Sequence, residues 1–329
     1  MTLVIIAGLL GIASVVAWWR LLYSAPPVRP ELSAPVTKGS LSTNVRARTF
    51  QEFVPTTCSP GAPLLLVLHG SRGDADQMRR YTGYEFERLA DAHGFIVVYP
   101  EGYLRYWNDA RRKGNWPAKT LGVDDVGFLR DLVQHVHEEH GRGPVFAAGY
   151  SNGGHMCFRL ALEAPDLVDG VAVFGANMPT DDNCVSPPAT RPVPAMFVNG
   201  TRDPINPYDG GRVTIFGFGD RGTVRSSVAS AEYFARLLGT DAKGEQPEAV
   251  VPAASDRATW VEHRAWTGLR GGEVALYTVH GGGHTIPQSR YRFPRLIGPT
   301  ETRFDAPAAC WAFFARVIAQ DVRPTGDVP

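Results

Sequence analysis

The sequence predicts an α/β fold with a mainly parallel central sheet and helices on both faces. The first sign is rhythm: short apolar runs alternate with stretches of helical spacing over most of the chain. The second is the character of those runs. Leu64-Leu65-Leu66-Val67-Leu68 is too short for a helix and shows no polar alternation, as befits a strand buried on both faces. The third is composition, since 44% hydrophobic and 20% charged residues over a length of 329 suit a sizeable core. The 33 basic and 33 acidic residues balance, and no basic stripe is interleaved with aromatics, so nothing favours a nucleic-acid partner.

Four segments follow: 1–24, an apolar membrane anchor or signal sequence; 25–45, a proline-rich linker; 46–322, one folded domain; and 323–329, a tail. Residues 2–23 are apolar apart from Thr2, Ser14 and Arg20, long enough to cross a bilayer, with Trp18, Trp19 and Tyr23 at an interface. No Lys or Arg precedes them, which favours a retained transmembrane helix over a cleaved signal peptide. Arg20, Arg29, Lys38, Arg46 and Arg48 all come later, and by the positive-inside rule they pull the domain toward the cytoplasm.

Within the domain a strand near Arg46 comes first, then the strand through Leu68, which opens into His69-Gly70-Ser71-Arg72-Gly73. His69 reads as a structural histidine that ties this loop. Asp76 to His93 has the spacing of one helix closing at Gly94, and Phe95 to Pro100 is the next buried strand. The loop from Glu101 to Val123 is rich in aromatics; Trp107 and Asn108 either line a cleft or pin the loop to the core. Asp124 and Asp125 sit where they cap a helix running to about His140. His135, His137 and His140 on that helix do not share one face, so they suit a solvated surface better than a metal site. Strands follow at 170–175, 194–200, 259–266 and 273–280, with helices at 226–238 and 304–320.

Residues 144–164 carry the chemistry. An apolar strand runs into Gly149-Tyr150-Ser151-Asn152-Gly153 and then into a helix, which is the strand–turn–helix setting of a nucleophile elbow in an α/β-hydrolase fold. A serine hydroxyl needs a base, and the base needs a partner that fixes its tautomer. Ser151, Asp203 and His284 occur in the order this fold uses, each just past a strand end, so they collect at one edge of the sheet. Asp209 is the rival acid and His280 the rival base. The backbone N–H groups of Ser71 and Asn152 are placed to form the oxyanion hole. Gly281-Gly282-Gly283 lacks the Lys-Ser/Thr of a phosphate loop, which excludes nucleotide binding there. No metal or cofactor is called for. The four cysteines form no C-x-x-C pair; Cys157 reads as a buried free thiol, and Cys58 and Cys184 as the better candidates for a bridge, with Cys310 left open.

With these residues in hand, the chain resembles secreted esterases of the polyhydroxybutyrate depolymerase and feruloyl or acetylxylan esterase group. The matching stretches are LLLVLHGSRGDADQM, FIVVYPEGY with Trp107-Asn108, VDDVGFLRDLV, GYSNGGHM, NGTRDPINPYDGG and GGGHTIP. The resemblance implies a serine esterase with Ser151 as nucleophile, Asp203 as acid and His284 as base, acting on a small-molecule or oligomeric ester. It also implies export, where Cys58 and Cys184 would bridge. After the histidine the family tends to have Thr-Trp-Pro-Gly, whereas this chain has Thr285-Ile286-Pro287-Gln288, which puts Ile286 near the expected cleft. The rival readings are a serine peptidase of the same fold and a catalytically silent, membrane-anchored binding protein.

Overall fold

The computed structural model describes residues 16, 18–43, 46–188, 190–240, 244–256, 258–268 and 272–321. The chain order is β1 (Thr37–Thr43), β2 (Arg46–Phe53), β3 (Leu64–Leu68), α1 (Ala75–Tyr81), α2 (Glu85–His93), β4 (Ile96–Pro100), α3 (Pro117–Thr120) and α4 (Asp125–His140). It continues with β5 (Val145–Tyr150), α5 (Asn152–Glu163), β6 (Gly170–Phe174), β7 (Ala195–Gly200) and a small hairpin of β8 (Gly211–Arg212) and β9 (Thr223–Val224). Last come α6 (Ser227–Leu237), β10 (Glu248–Val251), β11 (Trp260–Thr267), β12 (Glu273–His280) and α7 (Ala306–Asp321).

Ten strands form one sheet in the order β1-β2-β4-β3-β5-β6-β7-β12-β11-β10. The central run from β4 to β12 is parallel, and the strands outside it pair antiparallel. Alternate side chains of the central strands feed two cores. On β3, Leu64, Leu66 and Leu68 pack with α4, α5 and α6, while Leu65 and Val67 pack with α1, α2 and α7. Both faces are therefore covered, which explains the unbroken apolar runs in the sequence.

Four expectations need correction. The stretch read as a linker, 25–45, contains β1, and Leu32, Ala34 and Val36 pack on the second core. Its only large apolar side chain is Leu41, and at Gly39 the Phe50 ring lies where a Cβ would be, so no apolar period betrays the strand. The single helix expected over 76–93 breaks into α1 and α2, because Gly83 (φ +65°) and Tyr84 (φ +59°) turn left-handed between them. Of the paired acids before α4, only Asp124 caps, accepting from Gly127 N–H at 2.8 Å; Asp125 is buried and pairs with Arg48 at 2.7 Å. No disulfide joins Cys58 to Cys184: all four cysteines are free. Each of these two thiols donates within its own loop, to the Ser59 and Ser186 carbonyls, both at 3.7 Å.

Most of the expected membrane anchor, residues 2–15 and 17, lies outside the described residues, as does the tail 323–329. Among the described residues no helix is long and apolar enough to cross a membrane.

The turn between β5 and α5 shows why its glycines are needed. β3 and β5 are neighbours, with Leu68 opposite Gly149. A Cβ on Gly149 would overlap the Gly153 carbonyl, and one on Gly153 would overlap the Leu68 carbonyl. These are backbone contacts, which cannot swing aside. Gly153→Ala is therefore expected to cost about 3 kcal/mol in urea unfolding. Gly122 is left-handed (φ +56°) but open, with nothing within 4 Å of an added methyl, so Gly122→Ala costs only about 1 kcal/mol.

Candidate active site

Ser151 adopts φ 54°, ψ −113°, a strained conformation for a residue with a side chain. Its N–H donates to the Phe174 carbonyl at 2.9 Å, and its own carbonyl accepts from His155 N–H at 2.9 Å. The backbone is thus held on both sides at the top of the sheet, between the ends of β5 and β6.

Asp203 and His284 come from the next two strands. β7 and β12 pair in parallel, with Gly200 opposite Val279, so the loops that follow them emerge side by side. Arg202 N–H donates to the Gly282 carbonyl at 2.8 Å, and Gly281 N–H to Thr201 Oγ1 at 2.8 Å, which joins the two loops. Asp203 Oδ2 then lies 2.6 Å from His284 Nδ1, with both side chains almost wholly buried. The other oxygen, Oδ1, accepts from Ile205 N–H at 2.7 Å and Asn206 N–H at 2.8 Å, which fixes the carboxylate plane. A proton on Nδ1 is shared with Asp203, so Nε2 is the nitrogen left to act as a base.

His284 is brought to the elbow by two contacts. Its ring lies 5.0 Å, centroid to centroid, from that of Tyr150, the residue before Ser151, and its carbonyl accepts from Tyr150 Oη at 2.7 Å. A Cβ on Gly175, the residue after Phe174, would meet the His284 ring at 3.1 Å, so the imidazole fills the space that glycine leaves. The rivals are elsewhere. Asp209 is exposed, and His280 stacks on Trp260 with centroids 3.7 Å apart while facing Glu262.

The two residues expected to supply the oxyanion donors, Ser71 and Asn152, lie in the loop after β3 and at the start of α5. Gly70 packs against Tyr150, with a Cβ position 3.0 Å from the Tyr150 ring, which sets the next residue, Ser71, beside the elbow. Gly73 N–H turns back to the Gly70 carbonyl at 3.0 Å, and Arg72 N–H goes to the Arg105 carbonyl at 2.8 Å. Among the described residues, the N–H groups of Ser71 and Asn152 donate to no protein acceptor. Asn152 opens α5, where free N–H groups and the helix dipole favour negative charge.

Three loops are tied together beneath these donors. His69 behaves as the structural histidine expected: Nδ1 donates to the Gly70 carbonyl at 2.7 Å, and Nε2 accepts from Gly102 N–H at 2.9 Å. Burial outweighs that bond and lowers its pKa to about 4, so the ring is neutral. Trp107 Nε1 donates to the His69 carbonyl at 2.9 Å, and Trp107 N–H to Asn152 Oδ1 at 2.8 Å. Asn152 Nδ2 turns to the Trp107 carbonyl and to Asp109. Asp109 is fully buried against Arg111. Burial alone would raise its pKa, but Arg111, with His155 and Lys119 behind it, holds the carboxyl at about 2.

The residues expected to line a cleft do not. Trp107 and Ile286 are fully buried, Trp107 because it joins the loops just described and Ile286 because it packs in the second core. Asn108 is buried too: its N–H donates to Asp125 at 2.6 Å and its Nδ2 to the Val123 carbonyl at 2.8 Å. Aromatics in a long loop are here used as anchors. Among the described residues, Glu52, Glu139 and His140 bring metal-ligand atoms within 4.8 Å of one another. His140 precedes the start of β5, whereas Ser151 follows its end, so this cluster is not part of the site.

Three comparisons fit this geometry. The family model described as esterase PHB depolymerase matches residues 51–187. "Putative esterase NocK" of Nocardia uniformis subsp. tsuyamanensis is 32% identical over 296 residues, covering 83% of this chain and 80% of that protein. The chain belongs to the PHB depolymerase esterase family. Feruloyl esterase D of Neurospora crassa is 29% identical over 237 residues, covering 71% of this chain and 66% of that one. In fold, the acetyl xylan esterase from Aspergillus awamori superposes with a TM-score of 0.52 at 17% identity, over 76% of this chain and 95% of that chain. This PHB depolymerase-family esterase is a carboxylic ester hydrolase.

Sequence reasoning missed Tyr150, the Asn152 side chain and Asp109 in this esterase. Tyr150 and Asn152 flank the serine inside the motif itself, a signal that was there to be used. Asp109 is lost in a loop with no period. Asp109→Asn keeps the shape but strands Arg111 in the core, and is expected to cost about 3 kcal/mol in urea unfolding at pH 7. The native pKa of Asp109 lies below its ordinary value of 3.8, so its stabilisation is complete above about pH 4 and fades as pH falls toward 2. The gap between wild type and variant should close across that window.

Proposed function

We propose that this esterase hydrolyses carboxylic esters through an acyl-enzyme on Ser151. The observation that carries the reading is the buried 2.6 Å contact between Asp203 and His284, set beside the strained elbow that presents Ser151. His284 Nε2 takes the Ser151 proton as Oγ attacks the ester carbonyl. Asp203 holds the Nδ1–H tautomer and balances the imidazolium that forms. The Ser71 and Asn152 N–H groups receive the negative charge on the carbonyl oxygen. His284 then returns the proton to the leaving alcohol, and the same base activates water to release the acid and restore Ser151.

The proposed substrates are hydroxyalkanoate oligomers, feruloyl or acetyl esters, or similar small esters, in line with the names of the relatives. We place the domain outside the cytoplasm on the strength of its resemblance to secreted esterases, with the apolar segment 2–23 retained as an anchor or cleaved. Protease added to intact cells should then digest the domain; full protection would reverse the placement.

The chemical step is tested with p-nitrophenyl acetate and butyrate, methyl ferulate and 3-hydroxybutyrate oligomers, alongside a peptide anilide. Ser151→Ala should lower kcat at least about 10⁴-fold and abolish labelling by a fluorophosphonate, while its melting temperature stays near that of wild type. Labelling that persists in Ser151→Ala, or turnover of the anilide alone, would refute the proposal.

A further inference from the structure

Arg221 is a half-buried cation at the edge of this site with no acid to meet it. It lies just before β9, and its N–H is held by the Val213 carbonyl at 3.1 Å. Its Nη1 donates to Ser71 Oγ at 3.3 Å, and its guanidinium carbon lies 5.6 Å from the centre of the Trp116 ring. Both partners are neutral. The acids nearby are already engaged: Asp220 with Lys113 at 3.2 Å, and Asp109 with Arg111 and Asn152. Among the described residues no carboxylate pairs with Arg221.

The neighbouring charges add to the excess. Arg72, next to Ser71, is exposed and donates to Tyr106 Oη at 2.9 Å, again a neutral partner. Arg111, already paired with Asp109, lies 4.9 Å from the Trp116 ring centre. Burial first, and then Arg111, lower the pKa of Arg221 from the usual arginine value, against smaller opposing effects of Tyr106 and Asp109. A half-buried guanidinium that meets only a hydroxyl and a ring has no opposite charge beside it, and an arriving anion would supply one.

We propose that Arg221 recognises an anionic group on the substrate, so that preferred esters carry a carboxylate a few bonds from the scissile carbonyl. The inference rests on the esterase reading above. An anion that takes the place of Ser71 Oγ on Arg221 lies within roughly 6 Å of an oxygen bound at the Ser71 N–H, one residue span plus one hydrogen bond. That spacing suits the monoester of a short dicarboxylic acid, or an alcohol that bears an acid group. Trp116 supplies a flat wall that keeps the guanidinium in place and dry on one side. Arg72 extends the positive field outward and draws the anion in.

The test compares mono-4-nitrophenyl glutarate with neutral 4-nitrophenyl pentanoate, and 4-(butanoyloxy)benzoate with its methyl ester. The first pair puts the charge on the acyl part, the second on the leaving group. The readout is the ratio of kcat/KM, charged over neutral, for wild type, Arg221→Gln and Arg221→Lys. Wild type should favour the charged ester of one pair by about tenfold or more, with added salt eroding the ratio. Arg221→Gln should lower that ratio about tenfold, chiefly through KM, and Arg221→Lys should keep part of it. A ratio near one in wild type for both pairs would overturn the inference. So would a ratio unchanged in Arg221→Gln, since Arg221 would then act only through Ser71. Either result leaves the esterase reading intact, whereas wild type that turns over none of the four esters overturns both.

Discussion

The close approach of the elbow to the end of β3 governs the rest of the structure. Gly153 lies so near the Leu68 and His69 carbonyls that nothing larger fits, and Gly149 lies equally near Gly153. This contact does two things at once. It forces the turn that puts Ser151 into a strained conformation, and it brings the loop after β3 within reach of the serine. The proposed oxyanion donors are therefore a by-product of the same packing that presents the hydroxyl. A strained residue persists only where its surroundings over-determine it, and here two backbone hydrogen bonds and three neighbouring strand ends do so.

Around that contact the protein spends polar groups, not apolar ones. His69, Trp107, Asn152 and Asp109 link the loops after β3, β4 and β5 through buried hydrogen bonds. Such a network is costly when incomplete and rigid when complete. The neutral state of His69 matters here, since its two nitrogens must play opposite roles. Below the rim that carries Arg72 and Arg221, this frame holds the loops still while the outer surface is left free.

Much of this was legible in the sequence, for a physical reason. Buried parallel strands are apolar throughout, so β3, β4, β5, β6 and β7 announce themselves; Ser151 follows β5, Asp203 follows β7, and His284 follows β12, the last parallel strand. What escaped lies where the code is weaker. β1 and β10 are edge strands with polar or exposed residues, and a strand that need not bury a face carries no period. The break at Gly83 hides because the helical spacing resumes in phase after it. Trp107 and Asn108 look like a cleft from composition, since an aromatic anchor and an aromatic wall use the same residues. Only their hydrogen bonds tell them apart. The neighbourhood of Arg221 and Ser71 joins residues 150 positions apart and leaves no local trace.

The parallel pairing of β7 with β12 has a consequence for how the chain can change. Asp203 and His284 are 81 positions apart, yet their contact depends on two adjacent strand ends and a few bonds between the loops that follow. Between them, the β8–β9 hairpin stands outside the main sheet, whereas α6 packs in the first core and β11 and β10 extend the sheet beyond β12. A change in the length or the side chains of that hairpin leaves β7 and β12, and so the pair, in place. The Asp203–His284 pair thus belongs to the permanent frame, while the hairpin that carries Arg221 is an interchangeable part: the same frame could serve different esters by rewriting one detour.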